Sequence, residues 1–291
     1  MDHVLRPRRS MLYMPGSNAR ALEKGRGLPC DAIILDLEDA VAPDAKLQAR
    51  AQILAALADG GYGHRELIVR TNAPDSEWGW ADLEAIAPSS AHGVLLPKVE
   101  DPALVREADD RLTAAGANDA MALWCMMETP RGVLRAAEIA AASPRLAGFV
   151  LGTNDLALEL HCAQTPDRQP FMTSFGLCLL AARAHGLAVI DGVYIDLDDM
   201  AGFEAACRQG RALGFDGKSL IHPKTIETAN RVFGPGDEEL EWARRIVTAY
   251  EKGRAAGQAV IVVDGRMIED LHVREANRLI AMAANLDSRS G

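Results

Sequence analysis

Residues 124–132 read WCMMETPRG: an apolar run ends abruptly in a carboxylate, Glu128, followed by Thr129 and Pro130. Extended back to Ala122, the run is one of eight short apolar segments that recur between Ala- and Leu-rich stretches. The others are RSMLYM from Arg9, AIILDL from Ala32, LIVR from Leu67, GVLLP from Gly93, GFVLG from Gly148, LAVI from Leu187 and GKSLI from Gly217. Between them, segments such as DAKLQARAQILAALADG, DPALVREADDRLTAAG, PRGVLRAAEIAAAS and DDMAGFEAACRQGRALG carry apolar residues at three- and four-residue steps, and several close on glycine, as helices do. Strands that are apolar on both faces and alternate with helices belong to parallel sheets. Eight of them predict a closed (β/α)8 (TIM) barrel. An open doubly wound sheet would need a glycine fingerprint after its first strand, and LYMPGSN supplies no GxGxxG.

After the eighth run, DEELEWARRIVTAYEKGRAAG reads as a helix. AVIVVDGRMIEDLHVREANRLIAMAANL then reads as a strand, a turn at Asp264 and Gly265, and a final helix. The expected organisation is a barrel over 1–235 that carries the active site, with a helix-hairpin-helix extension over 236–291 that packs either on its own subunit or, as the sharper reading, on a neighbouring one.

The chain has 291 residues, 48% hydrophobic and 25% charged, the balance of a globular protein. A formal net charge of -10 argues against a nucleic-acid or anionic-membrane surface. A phosphate-rich ligand would need a local basic pocket, for which Arg6, Arg8, Arg9, Lys24, Arg26, Lys218 and Lys224 are the candidates. No run of about 18 apolar residues is present to span a bilayer. The basic N-terminus leads into LYMPGSN, not into a signal-peptide core, so a cytoplasmic protein is expected. Cys30, Cys125, Cys162, Cys178 and Cys207 are scattered and never form a CxxC pair, which points to reduced thiols.

In a barrel of this kind, residues just past the C-terminal strand ends form the active-site mouth. Those positions hold Asp36, Glu38 and Asp39, then Arg70, Thr71 and Asn72, then Pro97 and Lys98, then Glu128, then Gly152, Thr153, Asn154 and Asp155, and finally Asp191. All are expected to converge on one cavity. Glu128 and Asp155, from adjacent strands, suit a hard divalent cation, since Mg²⁺ is usually held by one or two carboxylates with water and substrate oxygens completing its shell. The same residues also suit plainer roles, Glu128 as a strand-end charge in solvent and Asp155 as a helix N-cap. Arg70, the only cation in LIVRTN, could fix a carboxylate or a developing oxyanion, or could pair with Glu38 or Asp39. His222 in SLIHPKTI reads as a hydrogen-bonded structural residue.

The segments RSMLYMPGSN, DAIILDLEDAVAPDAKLQAR, IVRTNAP, LLPKVE, METPRGV, LGTNDLA, AVIDGVYIDLDD and GFDGKSLIHPKTIETANRVFGP, in order from Arg9 to Pro235, resemble the citrate lyase β-subunit-like CoA-ester lyases of the HpcH/HpaI aldolase superfamily. That group includes malyl-CoA, β-methylmalyl-CoA and citramalyl-CoA lyases. The resemblance implies a (β/α)8 barrel and a Mg²⁺-dependent enzyme that breaks or forms a carbon–carbon bond between an acyl-CoA enolate and a 2-oxo acid. By position, Glu128 and Asp155 are the implied metal ligands and Arg70 the implied residue at the enolate oxygen. Backbone N–H groups from Gly152 through Thr153 and Asn154 to Asp155 would take the substrate carboxylate. Members of the group commonly carry GxMID in the tail, with the aspartate serving a neighbouring subunit as acid/base. Here the segment is GRMIED, which places Glu269 at that position. The implied partners are a CoA thioester and further copies of the chain, in a trimer or hexamer. A malyl-CoA thioesterase, the β chain of a multi-subunit citrate lyase and a non-catalytic barrel are the alternatives.

Overall fold

A computed structural model describes residues 6–289. The described residues divide into two compact units, Arg8–Asn230 and a smaller one that takes in 231–289, with the division falling within one helix, α10 (Ile226–Phe233).

The larger unit is a closed barrel of eight parallel strands in sequential order, β1 pairing with β8. The strands are β1 (Ser10–Pro15), β2 (Ala32–Asp36), β3 (Glu66–Arg70), β4 (Gly93–Leu96), β5 (Ala122–Met127), β6 (Leu146–Leu151), β7 (Ala188–Asp191) and β8 (Gly217–Leu220). Helices α1 (Ala19–Gly25), α2 (Lys46–Asp59), α3 (Gly79–Ile86), α4 (Pro102–Ala114), α5 (Pro130–Leu134), α6 (Ala136–Ala140), α7 (Thr153–Leu160), α8 (Met172–Ala184) and α9 (Met200–Leu213) fill the crossovers. The eight-strand reading of the sequence is therefore correct. One helix differs: the segment from Pro130 breaks into α5 and α6 at Arg135, whose ψ of 13° leaves the helical range while its guanidinium reaches Asp101 and Glu138.

The pleat decides what lies inside. Met11, Ala32, Ile34, Ile68, Leu95, Ala122, Trp124, Met126, Ala147, Val150 and Ile190 pack along the axis, and the alternate residues face the helices. Full burial of each large aliphatic side chain contributes roughly 1.5–3 kcal/mol. Trp124 is the largest of the core residues, and its ring occupies the space a Cβ at Gly148 would need, 2.4 Å from Cζ3. The strand register shifts between Leu123 and Trp124 to accommodate it.

At the N-terminal rim, Arg8 forms a buried fork to Glu66 at 2.6 and 2.9 Å and stacks over Trp124 at 4.8 Å. Arg9 pairs with Asp31 at 2.8 and 2.9 Å. These two arginines stand at the stability end of the barrel, away from the mouth, so they are not available to a ligand there. Lys218 is also removed from the list of ligand-binding cations. It is 1% exposed and reaches Asp191 at 2.8 Å, on the outward side of β7 and β8. Arg168 meets the same carboxylate at 2.7 and 2.8 Å, so a fully buried Asp191 answers two cations. Asp191 thus does not join the cavity: Ile190 points inward, and the pleat turns its neighbour outward.

The smaller unit holds α11 (Asp237–Ala255), an antiparallel hairpin of β9 (Ile261–Val263) and β10 (Arg266–Ile268), and α12 (Asp270–Asp287). Asp264 and Gly265 both have positive φ, 49° and 75°, the two-residue turn that asparagine- or aspartate-glycine pairs favour. Ala243, Ile246, Tyr250, Ile268, Val273 and Ala276 form its core. Among the described residues no helix is long and apolar enough to cross a membrane.

Asp191→Ala would leave two buried cations without a counter-charge. Urea unfolding of that variant is expected to show a loss of about 3–5 kcal/mol, whereas Arg111→Ala, on the surface, should cost less than about 1 kcal/mol.

Candidate active site at the C-terminal rim

Continuing each inward series by one step gives the site. Met11 leads to Tyr13, Ile34 to Asp36, Ile68 to Arg70, Met126 to Glu128 and Val150 to Gly152, so these residues share the axis at the C-terminal rim.

Arg70 is buried. Asp36 grips it in a fork, Nε to Oδ1 at 2.7 Å and Nη2 to Oδ2 at 2.6 Å, and Nη1 donates to Asp39 at 3.2 Å. Its face covers the Tyr13 ring at 4.8 Å. Burial, the largest single effect, works against the guanidinium's charge, but Asp36, Tyr13 and Glu38 together overcome it and hold the pKa well above the ordinary arginine value. Three donor hydrogens are engaged, leaving one on each Nη for an acceptor in the cavity. Asp36 is in turn oriented by the backbone N–H groups of Glu38 (2.9 Å) and Ala40 (3.3 Å). Arg70 therefore has the ion-paired role, with Asp36 and Asp39 as its hydrogen-bonded partners, at the C-terminal rim.

Glu38 has an oxygen, Oε2, only 2.8 Å from Arg70 Nη1, yet the approach lies off the N–H direction and that buried atom accepts no hydrogen bond. Burial first, and then the Asp39 and Asp36 carboxylates, push its pKa up to about 7 against the pull of Arg70.

Glu128 is 2% exposed. Its Oε1 accepts the backbone N–H of Lys98 at 2.7 Å, while Oε2 lies against Gly152, where a Cβ would stand 2.4 Å from it. Burial, followed by the nearby Glu38, raises its pKa to about 8; the Lys98 N–H and Arg70 oppose this. Glu128 is thus a buried carboxylate and not a solvent-facing strand end. Asp155 sits half-buried in the first turn of α7 and makes no capping bond; Gly152 occupies the N-cap position. Asp155 acts electrostatically on both Glu128 and Lys98. Burial lowers the Lys98 ammonium's pKa, but Glu38, Asp155, Glu128 and Asp39 together hold it above the usual lysine value.

Among the other expected residues, Thr153 is buried and Asn154 is exposed, its Oδ1 accepting from Gln164 at 3.1 Å. Thr71 and Asn72 are buried beside the mouth, Asn72 tied to Asp82 at 2.6 Å. His222 accepts the Lys224 N–H through Nδ1 at 3.1 Å, the structural role expected of it. Glu269 lies in the smaller unit at the N-cap of α12, its N–H donating to His272 Nδ1 at 3.1 Å. Tyr13 was missed by motif reading; its signal was the two-residue step from the inward Met11.

Five carboxylates (Asp36, Glu38, Asp39, Glu128, Asp155) thus interact around two cations, Arg70 and Lys98. The described residues contain no group of three or more His, Cys, Asp or Glu side chains that could enclose a metal. A pair of acids, short of positive charge and backed by an unbonded carboxylate oxygen on Glu38, fits a hard dication that keeps water and substrate oxygens in its shell.

Comparison with known proteins identifies the family. The chain is 53% identical over 283 residues to a (3S)-malyl-CoA thioesterase of Cereibacter sphaeroides strain KD131, covering 97% of each. It is 37% identical to the citrate lyase subunit beta of Escherichia coli K12, covering 96% of this chain and 94% of that one. The crystal structure of CitE from Mycobacterium tuberculosis in complex with magnesium, acetoacetate and coenzyme A superposes with a TM-score of 0.79 at 29% identity, over 96% of this chain and 99% of that one. Residues 9–223 match the family model described as HpcH/HpaI aldolase/citrate lyase. With that match over most of its length, the chain belongs to the HpcH/HpaI aldolase/citrate lyase family.

Proposed function

We propose that this chain is a magnesium-dependent enzyme acting on a CoA thioester of the malyl-CoA type, with Glu128 and Asp155 as metal ligands and Arg70 facing the reacting carbonyl. The observation that carries this reading is the convergence of a buried acid, a second acid and a forked arginine on one barrel rim. Bound there, Mg²⁺ would supply Lewis-acid stabilisation to substrate oxygens. The chain's own residues supply the rest. The unengaged N–H groups of Arg70 meet negative charge as it gathers on the thioester oxygen, and Asp36 keeps the fork from swinging away. The first N–H groups of α7, on Thr153, Asn154 and Asp155, have no carbonyl one turn earlier and suit the substrate's free carboxylate.

Charge develops on that oxygen both in thioester hydrolysis and in carbon–carbon cleavage, so the site supports the substrate class, and relatives bear on the reaction. Likeness to (3S)-malyl-CoA thioesterases over nearly the whole chain favours hydrolysis as the net reaction. Likeness to citrate lyase subunit beta favours the second reading, a lyase yielding glyoxylate and an acyl-CoA. Glu269 is the proposed acid/base, supplied by a neighbouring copy in a trimer or hexamer, because in GRMIED it stands where the GxMID tail of the resembling lyases carries its aspartate. CoA would be met by residues exposed around the mouth, in a cytoplasmic setting.

Incubation of malyl-CoA with the protein and Mg²⁺ is expected to release CoA thiol and malate, detected by thiol titration and chromatography, and EDTA should abolish it. Glyoxylate and acetyl-CoA as the products would select the lyase reading. Arg70→Lys, which keeps the charge but loses the fork, is expected to lower kcat by about 10²–10³-fold.

Gly152→Ala places a methyl group on Glu128 Oε2 and should abolish Mg²⁺ binding in a calorimetric titration while leaving the circular dichroism spectrum intact.

If Glu269 serves another copy, Glu269→Gln and Arg70→Lys enzymes, each impaired alone, should recover activity when refolded together. Mixtures no better than their components would exclude the shared site.

A further inference from the structure

Four described non-glycine residues have positive φ. His161 closes α7, Asp264 makes the hairpin turn, and Arg168 belongs to the buried ion pair with Asp191. Lys98, at φ 49°, caps no helix and turns no hairpin. It follows Pro97 at the end of β4, and proline has no N–H, so Lys98 carries the first backbone donor beyond the strand. The left-handed turn swings that donor sideways to the end of β5, where it meets Glu128 Oε1 at 2.7 Å. Its side chain, by contrast, is exposed and makes no ion pair within the contact distance seen for Arg70. The next residue is also held: Val99 O lies 2.3 Å from where a Cβ on Gly132 of α5 would stand, so the loops after β4 and β5 are pressed together. On the far side of Glu128, Gly152 closes in from β6. The carboxylate is gripped from both neighbouring strands, with one oxygen bonded and the other directed toward the α7 side.

We propose that Lys98 is a positioning residue for Glu128, acting through its left-handed backbone N–H and not through its ammonium. Backbone strain of this kind persists where the surroundings over-determine it, and it gathers at functional sites. Here the strained turn pins Oε1, which leaves Oε2 as the oxygen offered to a cation. This rests on the reading of Glu128 as a metal ligand, and the test separates the two.

The backbone account makes an unusual demand on a substitution series. Lys98→Ala, Lys98→Gly and Lys98→Asn all keep the N–H, and glycine and asparagine adopt positive φ readily. Mg²⁺ titration by calorimetry should find their affinity within about threefold of the wild type, or tighter where a nearby positive charge is lost. Lys98→Val resists the left-handed conformation and Lys98→Pro also deletes the donor; each should weaken Mg²⁺ binding by about 10- to 100-fold, the usual cost of removing a group that orients a ligand. Thermal melts check that the variants are folded, and Lys98→Val stands in if the proline variant is not. Equal loss in the alanine and proline variants would assign the effect to the ammonium and overturn the proposal. Wild-type affinity throughout the series would overturn it as well. Should the wild type bind no Mg²⁺, the metal reading fails and amide hydrogen exchange decides this one: the Lys98 amide should be protected in the wild type and exposed in Glu128→Ala. Equal exchange in the two would remove the hydrogen bond and the proposal with it.

Discussion

The pleat of a closed parallel barrel sends every second side chain to the axis, and the site depends on that alternation. In β2 and β5 the inward series is apolar through the core and turns charged at its last step, at Asp36 and Glu128, while in β3 it runs from Glu66 through Ile68 to Arg70. A one-residue slip in any of these strands would carry its charged end to the helical side and its core residues with it. Because the apolar inward residues are fully buried, the core holds the register, and the register holds the site.

Electrostatics then work against packing. The rim collects more carboxylates than cations in a place with little water, and the strain is visible in Glu128 and Glu38, whose pKa values rise to about 8 and about 7. Asp36 and Arg70 escape it by forming a fork, and Asp191 escapes it by facing the other way, toward Arg168 and Lys218. Glu128 has only a backbone N–H and distant cations. A buried acid so placed is costly for a protein with no use for it.

The two buried ion networks away from the mouth have a different meaning. Arg8 with Glu66, and Asp191 with Arg168 and Lys218, have their charges answered within the fold, so they brace strands without facing a cavity. Sign and sequence position alone do not separate them from the groups at the rim. Lys218 and Arg8 look like ligand-binding cations in the sequence, and Asp191 looks like a rim acid. Burial and partners reverse each assignment.

The strand count, the barrel and the acidic residues at the strand ends are legible in the amino-acid order, because hydrophobic periodicity is local and survives without coordinates. The DG turn of β9 and β10 was equally plain, since a pair of positive φ values has few sequence solutions. Which strand-end groups point inward emerges from packing, because the phase of a strand is set by what lies against it: Trp124 filling the axis beside Gly148 sets the phase of β5 and so aims Glu128. Packing likewise decided that Arg70 is held by Asp36, that Tyr13 lies beneath it, and that a lysine bends into a left-handed turn to reach a glutamate on the next strand. Those contacts join residues far apart in the chain, and no periodicity within one segment encodes them.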